Sequence, residues 1–444
     1  MPRASVLDTL AVMSEVVLPT LAKGVIIRRR KIVGAAQHFG IDDRAVRRMQ
    51  GLRRKYGAGP LMLTIPGRSM AMVLAAPDVN RILAGAPEPF APASSEKRAA
   101  LAHFEPKVAL ATRGPERPDR RTFNERTLEV DQPVHSMADA LLQVVDEEAG
   151  HILRAAEKAG QLDWDVFFRG WYRMVRRLVL GSGARDDHEL TDMLGALRKR
   201  GNWAFLRSRD EKSREDFHRR LAHHLQRAES GSLAARIAET PVTPDTAPTH
   251  QVAQWLFAFD PGGMATFRAL ALLSAHPDVM TRARSEMHDG SGEGRRQLPL
   301  LRASFLEALR LWATTPAILR ESTAETTWES GTMPANTSIV VYAPFFHRDD
   351  EALDFAHRFT PDLWLDGRAG DWPLVPFSKG PAVCPAKNLV PMVASAMLAA
   401  IIAARDVELE NPSLLQPLDR LPGTLDNYSL QFGLRPRTAA ASPQ

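Results

Sequence analysis

The 444 residues contain a single cysteine, Cys384, within the stretch F-S-K-G-P-A-V-C-P-A at 377–386. Glycine and prolines surround it and an apolar run follows at 389–403, which predicts a constrained loop that delivers one thiol to the start of a helix. A lone cysteine forms neither an internal disulfide nor a paired-cysteine zinc site. A helix N-terminus and Lys387 should favour the thiolate, which is a ligand of haem iron. A buried, inert cysteine is the equally common alternative.

A second chemical feature is Asp260, in the middle of an apolar segment predicted as a long helix at 251–276. Pro261 removes an amide donor and two glycines follow, so the helix should kink or unwind there. An acid in such a helix is costly unless it is used or paired. Asp260 could instead cap a helix that restarts at Pro261, and the two roles are compatible.

Composition limits the class of protein. The hydrophobic fraction of 44% and charged fraction of 25% are ordinary for a soluble globular chain. The net charge is only +5 and the arginines are dispersed, which argues against a nucleic-acid binder. One cysteine suits a reducing compartment, so a cytoplasmic location is expected.

The N-terminal region is helical and basic by pattern. Residues 16–27 are fairly apolar and R-R-R-K follows at 28–31, a combination that can rest on an anionic membrane. A solvated helix end is the more common outcome and the preferred interpretation. The apolar stretch falls short of the roughly 20 residues that span a bilayer, so no transmembrane anchor is expected.

Periodicity indicates a mainly helical chain. Strand, turn, strand and helix are predicted at 60–65, 66–67, 70–74 and 78–84, and a further strand at 337–342. Apolar residues at three- and four-residue spacing predict helices at 137–156, 164–180, 188–208 and 211–228. A short hairpin is expected at 428–433.

The cysteine loop resembles the haem-binding loop of the cytochrome P-450 superfamily. The pattern F-x-x-G-x-x-x-C is carried by Phe377, Gly380 and Cys384. The family usually has a basic residue where this chain has Ala382, and a glycine where it has Ala386. The resemblance implies haem b (iron protoporphyrin IX), with Cys384 as the iron ligand.

A second resemblance is the E-x-x-R motif of Glu307 and Arg310, which lies 74 residues before the cysteine. Residues three apart share a helix face and can pair, and in the family this buried pair holds the haem-binding core. H-R-D at 347–349 and F-T-P at 359–361 also resemble the family pattern. The family's following arginine is Leu363 here, so Arg358 is a possible substitute.

Three arginines are assigned to the haem propionates by resemblance: Arg117, Arg121 and Arg320. Guanidinium groups pair with carboxylates in bidentate geometry, which suits that role. A solvated helix start is the alternative for Arg117 and Arg121.

The helix around Asp260 resembles the family's central helix, in which an acid followed by threonine delivers protons during oxygen activation. Alignment from His276-Pro277 places Asp260 on the acid and Pro261 on the alcohol position. A shifted alignment uses Thr266 as the alcohol and has no acid. The first needs no gap and is preferred.

Apolar residues that the resemblance places around the substrate are expected to form its pocket, although core packing is the more common fate of such residues. They are Phe257, Phe259, Ile318, Leu319 and Phe432.

The expected fold is therefore mainly α with small β-sheets (α+β), with haem between the long central helix and the helix after the cysteine loop. Residues 1–49 form an N-terminal segment, 50–437 one haem domain and 438–444 a disordered tail. The implied activity is O2-dependent monooxygenation of a hydrophobic small molecule, with electrons from a ferredoxin or flavodoxin and its reductase. The alternatives are peroxide-driven, isomerase or coupling chemistry, and a non-catalytic haem- or ligand-binding protein.

Overall fold

The computed structural model describes residues 1–287, 292–415 and 420–437. The tail expected at 438–444 lies outside the described residues. The α-helices are α1 Val6–Val12, α2 Leu18–Lys23, α3 Arg30–His38, α4 Ile41–Tyr56, α5 Ala76–Ala84, α6 Ser95–Leu101, α7 Glu116–Leu128, α8 Ala138–Ala159, α9 Trp164–Leu180, α10 His188–Gly201, α11 Glu211–Arg227, α12 Leu233–Glu239, α13 Pro248–Ala275, α14 Pro277–Glu286, α15 Gly292–Gln297, α16 Pro299–Leu311, α17 Ala343–His347, α18 Asp362–Leu365 and α19 Leu389–Ala404.

The strands form three small sheets. They are β1 Pro60–Met62, β2 Met70–Val73, β3 Phe90–Ala91, β4 Leu162–Asp163, β5 Ala317–Ser322, β6 Thr326–Trp328, β7 Gly331–Met333, β8 Ser338–Tyr342, β9 Arg405–Leu409 and β10 Gln431–Pro436. The orders are β1-β2-β8-β5-β3, β4-β10-β9 and β6-β7. The predicted class, mainly α with small sheets, is confirmed.

The central helix α13 runs without interruption through Pro261. Of the two predicted alternatives at this proline, a kink or an unwinding, the unwinding is therefore wrong. Packing against α9 explains its continuity, because the Trp171 indole donates to the Phe259 carbonyl at 2.8 Å. A Cβ on Gly263 would lie 2.9 Å from that indole nitrogen, so the glycine lets the two helices approach closely.

Several predicted bounds need correction. α10 ends at Gly201, seven residues before the predicted end, and Phe205 and Leu206 beyond it are exposed. The predicted hairpin at 428–433 is replaced by β10, which pairs with β9 and β4. A strand's partner depends on distant chain segments, which a local turn pattern does not reveal.

The proposed division at 49/50 falls inside α4, Ile41–Tyr56. This helix is tied to the chain beyond it, since Arg53 forms an ion pair with the buried Asp349. The division into an N-terminal segment and one haem domain stays a prediction.

Among the described residues, α13 is the helix that is long and apolar enough to cross a membrane. Within its most apolar window 83% of the residues are buried in the protein. It is therefore packed as a core helix.

Candidate active site

The loop around Cys384 is held by its own backbone. The Cys384 amide donates to the Phe377 carbonyl at 2.9 Å, and the Lys387 amide donates to the Cys384 carbonyl at 3.2 Å. Helix α19 begins only at Leu389. The prediction that the cysteine stands at the start of a helix is therefore wrong, because a turn separates the two.

Gly380 is required by two constraints in this loop. Its φ is +71°, and a Cβ at this position would lie 2.3 Å from the Leu83 carbonyl oxygen of α5. Any larger residue would therefore strain the backbone and push the loop from α5.

We expect Gly380→Ala to lower the free energy of unfolding by about 1–3 kcal/mol, because strain and the steric clash act together. Denaturant unfolding measures this change. The matched control is Gly370→Ala, since a Cβ there meets nothing within 4 Å. Equal stability of the two variants would contradict the proposed constraint.

The Cys384 thiol lies in a desolvated environment. Burial raises its pKa, whereas a hydrogen bond from the Ala386 backbone and the charge of Arg121 act in the opposite direction. The predicted shift towards thiolate is therefore wrong for this protein without a bound metal, because burial outweighs the positive neighbours. A metal ion would reverse this balance by coordinating the thiolate.

The three arginines predicted to bind propionates lie around the cysteine loop. Arg121 donates to the Val383 carbonyl at 2.7 Å, and Arg320 donates to the Ser378 hydroxyl at 3.1 Å. Burial, the larger cause, and the charge of Arg117 lower the pKa of Arg320 to about 10.

This arginine group has unused hydrogen-bond donors. Arg117 Nε, Arg121 Nη2 and Arg320 Nε are buried and have no hydrogen-bond partner within the described chain. Among the described residues, the one carboxylate paired with any of the three is Glu125, which accepts from Arg121 at 2.6 Å. Buried cations without counter-charges are costly, so the group has the donors and the charge to hold a dianion.

Lys97 is a further cation beside this group of arginines, and it was not identified from the sequence. It is partly buried, and its ammonium donates to the carbonyls of Leu319 at 2.9 Å and Pro92 at 3.0 Å. Burial and, to a lesser degree, Arg320 hold the pKa of Lys97 well below its ordinary value. Lys97 lies in a stretch without clear periodicity, so no local signal could have identified it.

The E-x-x-R pair is buried and satisfied. Arg310 Nη2 donates to Glu307 at 2.8 Å, and its other donors reach the carbonyls of His347 at 3.0 Å, Ala356 at 3.1 Å and Arg358 at 2.7 Å. Both side chains have no exposed surface. Arg310 thus ties α16 to the segment that leads towards the cysteine loop.

A third side chain, that of Trp364, joins the pair of Glu307 and Arg310. Its indole donates to Glu307 at 3.1 Å, and the Thr360 amide donates to Glu307 at 2.7 Å. The Arg358 side chain is mostly exposed and donates to the Asp354 carbonyl. The suggested substitution by Arg358 is wrong, because only its backbone reaches the pair.

Asp260 is paired inside the protein. Arg198 of α10 donates to it at 2.5 Å and also donates to the Ile26 carbonyl at 2.9 Å. The Tyr172 hydroxyl lies 3.4 Å from Arg198, and burial with the charge of Asp260 raises the pKa of Tyr172. Asp260 therefore does not cap a restarted helix. Arg198 was missed because it lies 62 residues away on an ordinary helical pattern.

The hydroxyl of Thr266 is already used. It donates to the Gly262 carbonyl at 2.8 Å, one turn earlier in α13, and the residue is buried. This geometry satisfies the hydroxyl within the helix.

The five predicted pocket residues do not lie in one cluster. Phe257 contacts the Phe104 ring at 5.7 Å between centroids, whereas Phe432 packs on Phe267 at 5.0 Å in the aromatic core. Phe259 packs towards Trp171. The remaining two, Ile318 and Leu319, lie on β5 in a separate hydrophobic cluster.

Comparison with known proteins agrees with this arrangement. The sequence model of the family described as "Cytochrome P450" matches residues 249–427. Over 144 residues the chain is 34% identical to cyclooctat-9-en-7-ol 5-monooxygenase of Streptomyces melanosporofaciens, and over 163 residues 26% identical to geraniol 8-hydroxylase of Swertia mussotii. These matches cover 30% and 34% of this chain, and 31% and 33% of the two relatives.

Solved structures extend the likeness to most of the chain. A retinoic acid-bound cyanobacterial cytochrome P450 covers 87% of it, with 94% of that chain matched, a TM-score of 0.68 and 17% identity. The cytochrome P450 CYP102L1 covers 88%, with 94% of that chain matched, a TM-score of 0.69 and 18% identity. At this identity the likeness shows the fold. With the family match over residues 249–427, the chain is similar to cytochromes P450 in fold and in the sequence of its C-terminal half.

The cofactor of this family is haem, and the residues present fit it. Cys384 offers a partly buried thiol, and the unpaired donors of Arg117, Arg121 and Arg320 suit the two propionates. Ala382 contributes no cation to this side of the loop. Lys97 and the arginines supply the positive charge instead.

Proposed function

We propose that this protein is a haem-thiolate monooxygenase that transfers one oxygen atom from O2 to a hydrophobic small molecule. The observation that carries the proposal is the group of buried, unpaired arginine donors around the loop of the only cysteine. Cys384 would bind the iron of haem b, and Arg117, Arg121, Arg320 and Lys97 would hold its propionates. Haem with a thiolate ligand supplies the electron density that favours O–O cleavage.

The pair of Asp260 and Arg198 is assigned to proton movement. Asp260 is the buried acid at the position that the family uses, and Arg198 keeps it oriented through a charge-assisted bond. Pro261 offers no hydroxyl next to it. Asp260 would therefore exchange protons with water or with a hydroxyl of the substrate, and Arg198 would control its position.

We expect Asp260→Asn to reduce product formation by about a hundredfold, the size typical of losing a general acid–base group. Consumption of the electron donor should fall less than product formation, so a smaller share of the donated electrons should lead to product. The ratio of product formed to donor consumed measures this change.

Thr266→Val is the matched control on the same helix. Its hydroxyl serves the Gly262 carbonyl, so we expect less than about a threefold change in that ratio. If Thr266→Val reduces the ratio as strongly as Asp260→Asn, the shifted alignment is correct and Thr266 is the working alcohol.

Use of peroxide in place of O2 and electrons is the second candidate function. It is favoured by the absence of a hydroxyl at Pro261 and by the engaged hydroxyl of Thr266. Peroxide brings both oxygen atoms in reduced form, so it requires less proton delivery from the chain.

One assay separates the two candidates and tests the proposal as a whole. The haem-loaded protein is incubated with a panel of apolar substrates, either with O2 and a reduced electron carrier or with hydrogen peroxide alone. Product that requires the carrier supports monooxygenation, and product only with peroxide supports the second candidate. Normal haem binding without product under either condition would favour a non-catalytic protein.

A ferredoxin or flavodoxin is the proposed electron donor. Lys379 is exposed on the cysteine loop and Lys387 is partly exposed beside it, and an acidic carrier would be attracted to this face. Reduction of the protein by the carrier should slow as salt is raised. Reduction rates independent of salt would contradict docking by charge.

We propose a cytoplasmic location with contact to membranes through the N-terminal helices. Leu7, Leu10, Leu18 and Leu21 are exposed there, and the exposed basic residues Arg30 and Lys31 follow. Such a surface binds anionic lipid. Co-sedimentation with anionic but not neutral vesicles tests this, and absence from both pellets contradicts it.

A further inference from the structure

A small cavity with charged walls lies at the junction of the N-terminal segment, α13 and the loop before β10. Its volume is about 40 Å³, and its polar lining includes Lys23, Arg28, Asp42, Arg268 and Asn427. A buried water needs about 10–15 Å³ of such space. The cavity is thus large enough for a small polar group and has no role in the proposed chemistry.

The charges that line this cavity do not balance. Three cations, Lys23, Arg28 and Arg268, face one carboxylate, Asp42. Asp42 is already engaged, because it accepts hydrogen bonds from Lys23 and Thr424.

Neither arginine has an acidic hydrogen-bond partner in the described structure. Arg28 donates to the Gly24 carbonyl at 2.8 Å and the Thr314 carbonyl at 2.7 Å. Arg268 donates to the carbonyls of Trp312 at 3.2 Å and Leu425 at 2.8 Å.

Other acids near the cavity do not remove this excess. Asp260 influences Arg28 electrostatically but is bonded to Arg198. Asp426 acts on Arg268, yet burial raises its pKa, which lowers its tendency to carry charge. Burial, the larger cause, and Arg28 lower the pKa of Arg268 to about 10, so Arg268 remains a cation at neutral pH.

Two groups in the cavity have unused hydrogen-bonding capacity. Both amide atoms of Asn427 are buried and have no partner in the described part of the chain, and the same holds for Arg268 Nε. Buried polar atoms are nearly always paired in folded proteins, by protein or by a bound molecule. The Nε–H of Arg268 and the amide N–H2 of Asn427 are donors, which suit an anion.

We propose that this cavity binds the carboxylate of a substrate that is otherwise apolar. The inference rests on the proposed function and names the class of substrate. The remaining wall includes Trp312, Pro316 and Leu425, which suit the adjoining hydrocarbon. Pro316 directly precedes β5, whose Ile318 and Leu319 were predicted to lie on the substrate side.

The first experiment is isothermal titration calorimetry of the haem-loaded protein with dodecanoate, 1-dodecanol and formate. We expect dodecanoate to bind at least about tenfold more tightly than the alcohol, and formate to compete with dodecanoate. Equal affinity for acid and alcohol overturns the proposal. Binding of formate without binding of dodecanoate assigns the cavity to a free small anion and overturns its role in substrate binding.

Asn427→Asp tests the charge excess directly, because it adds one carboxylate with little change of shape. We expect it to raise the midpoint of thermal unfolding without ligand and to weaken dodecanoate binding at least about tenfold. Asn124→Asp is the matched control. Its amide is buried but satisfied by Arg120, Gln251 and Trp255, so that substitution should lower the midpoint.

Arg28→Gln provides a second variant, with Arg30→Gln as its control. Arg30 lies on the same segment, is half exposed and pairs with Asp165. Only Arg28→Gln should weaken dodecanoate binding. A lower midpoint for Asn427→Asp, or equal losses in both arginine variants, overturns the inference. The spectrum of the reduced, carbon monoxide-treated protein is recorded for each variant, so that failure of the haem-thiolate proposal is recognised separately.

Discussion

Replacement of Cys384 by alanine is expected to abolish the strongly red-shifted Soret band of the reduced protein with carbon monoxide. Cys384 is the only cysteine in the chain, so no other thiolate can replace it as an iron ligand. Product formation should fall by at least about a thousandfold, because the electron density that favours O–O cleavage is lost. Absorption spectra and product assays measure the two effects.

One control variant distinguishes ligand loss from damage to the loop. Ala386→Gly introduces the residue that the family usually has, and it keeps the backbone amide that donates to the Cys384 sulfur. We expect it to retain the red-shifted band. In the haem-free protein, the Cys384 thiol, whose pKa is raised, should react slowly with iodoacetamide at pH 7. A thiolate-type band in Cys384→Ala would refute the assignment of the ligand.

Glu307→Gln is expected to have the largest effect on stability. It leaves the fully buried Arg310 without a counter-charge, and loss of one partner of a buried ion pair costs about 3–5 kcal/mol. Because Arg310 binds carbonyls of the segment at 347–358, the haem-binding region should loosen as well. Urea unfolding measures the stability, and the ratio of haem to protein measures the second effect.

Two milder substitutions test which side chain completes this pair. Trp364→Phe removes one hydrogen bond to Glu307 and should cost about 1 kcal/mol. Arg358→Ala removes an exposed side chain and should change stability by less than about 0.5 kcal/mol. If Arg358→Ala is as harmful as Trp364→Phe, the pair depends on Arg358 in solution and the assignment of Trp364 is wrong.

Helix α9 illustrates how much local pattern can determine. The periodicity predicts 164–180, and the structure has Trp164–Leu180. The Asp163 side chain accepts from the Val166 amide at 2.8 Å at one end, and Gly181 follows at the other. Residues next to each end of α9 therefore determine where this helix begins and ends. α10 was predicted too long, although Gly201 and its C-cap Asn202 are a local stop signal.

The pairing of Glu307 with Arg310 could also be predicted from the sequence, because a spacing of three residues along a helix places both side chains on one face. The contact of Trp364 with Glu307 could not be predicted from the sequence, because the two residues lie 57 positions apart. The same reason applies to Asp260, whose partner Arg198 is on another helix. A buried acid requires a partner, but the sequence does not say which of many arginines supplies it.

The sequence by itself determined the mainly helical class, the cysteine loop and its motif spacing, and the resemblance to the cytochrome P450 family. These depend on periodicity and on residue types at short distances along the chain. Only the tertiary structure decided the desolvated state of the Cys384 thiol, the unpaired donors around it and the cationic cavity at Arg268 and Asn427. Burial and charge balance depend on segments that are far apart in the chain, so they exist only once the protein has folded.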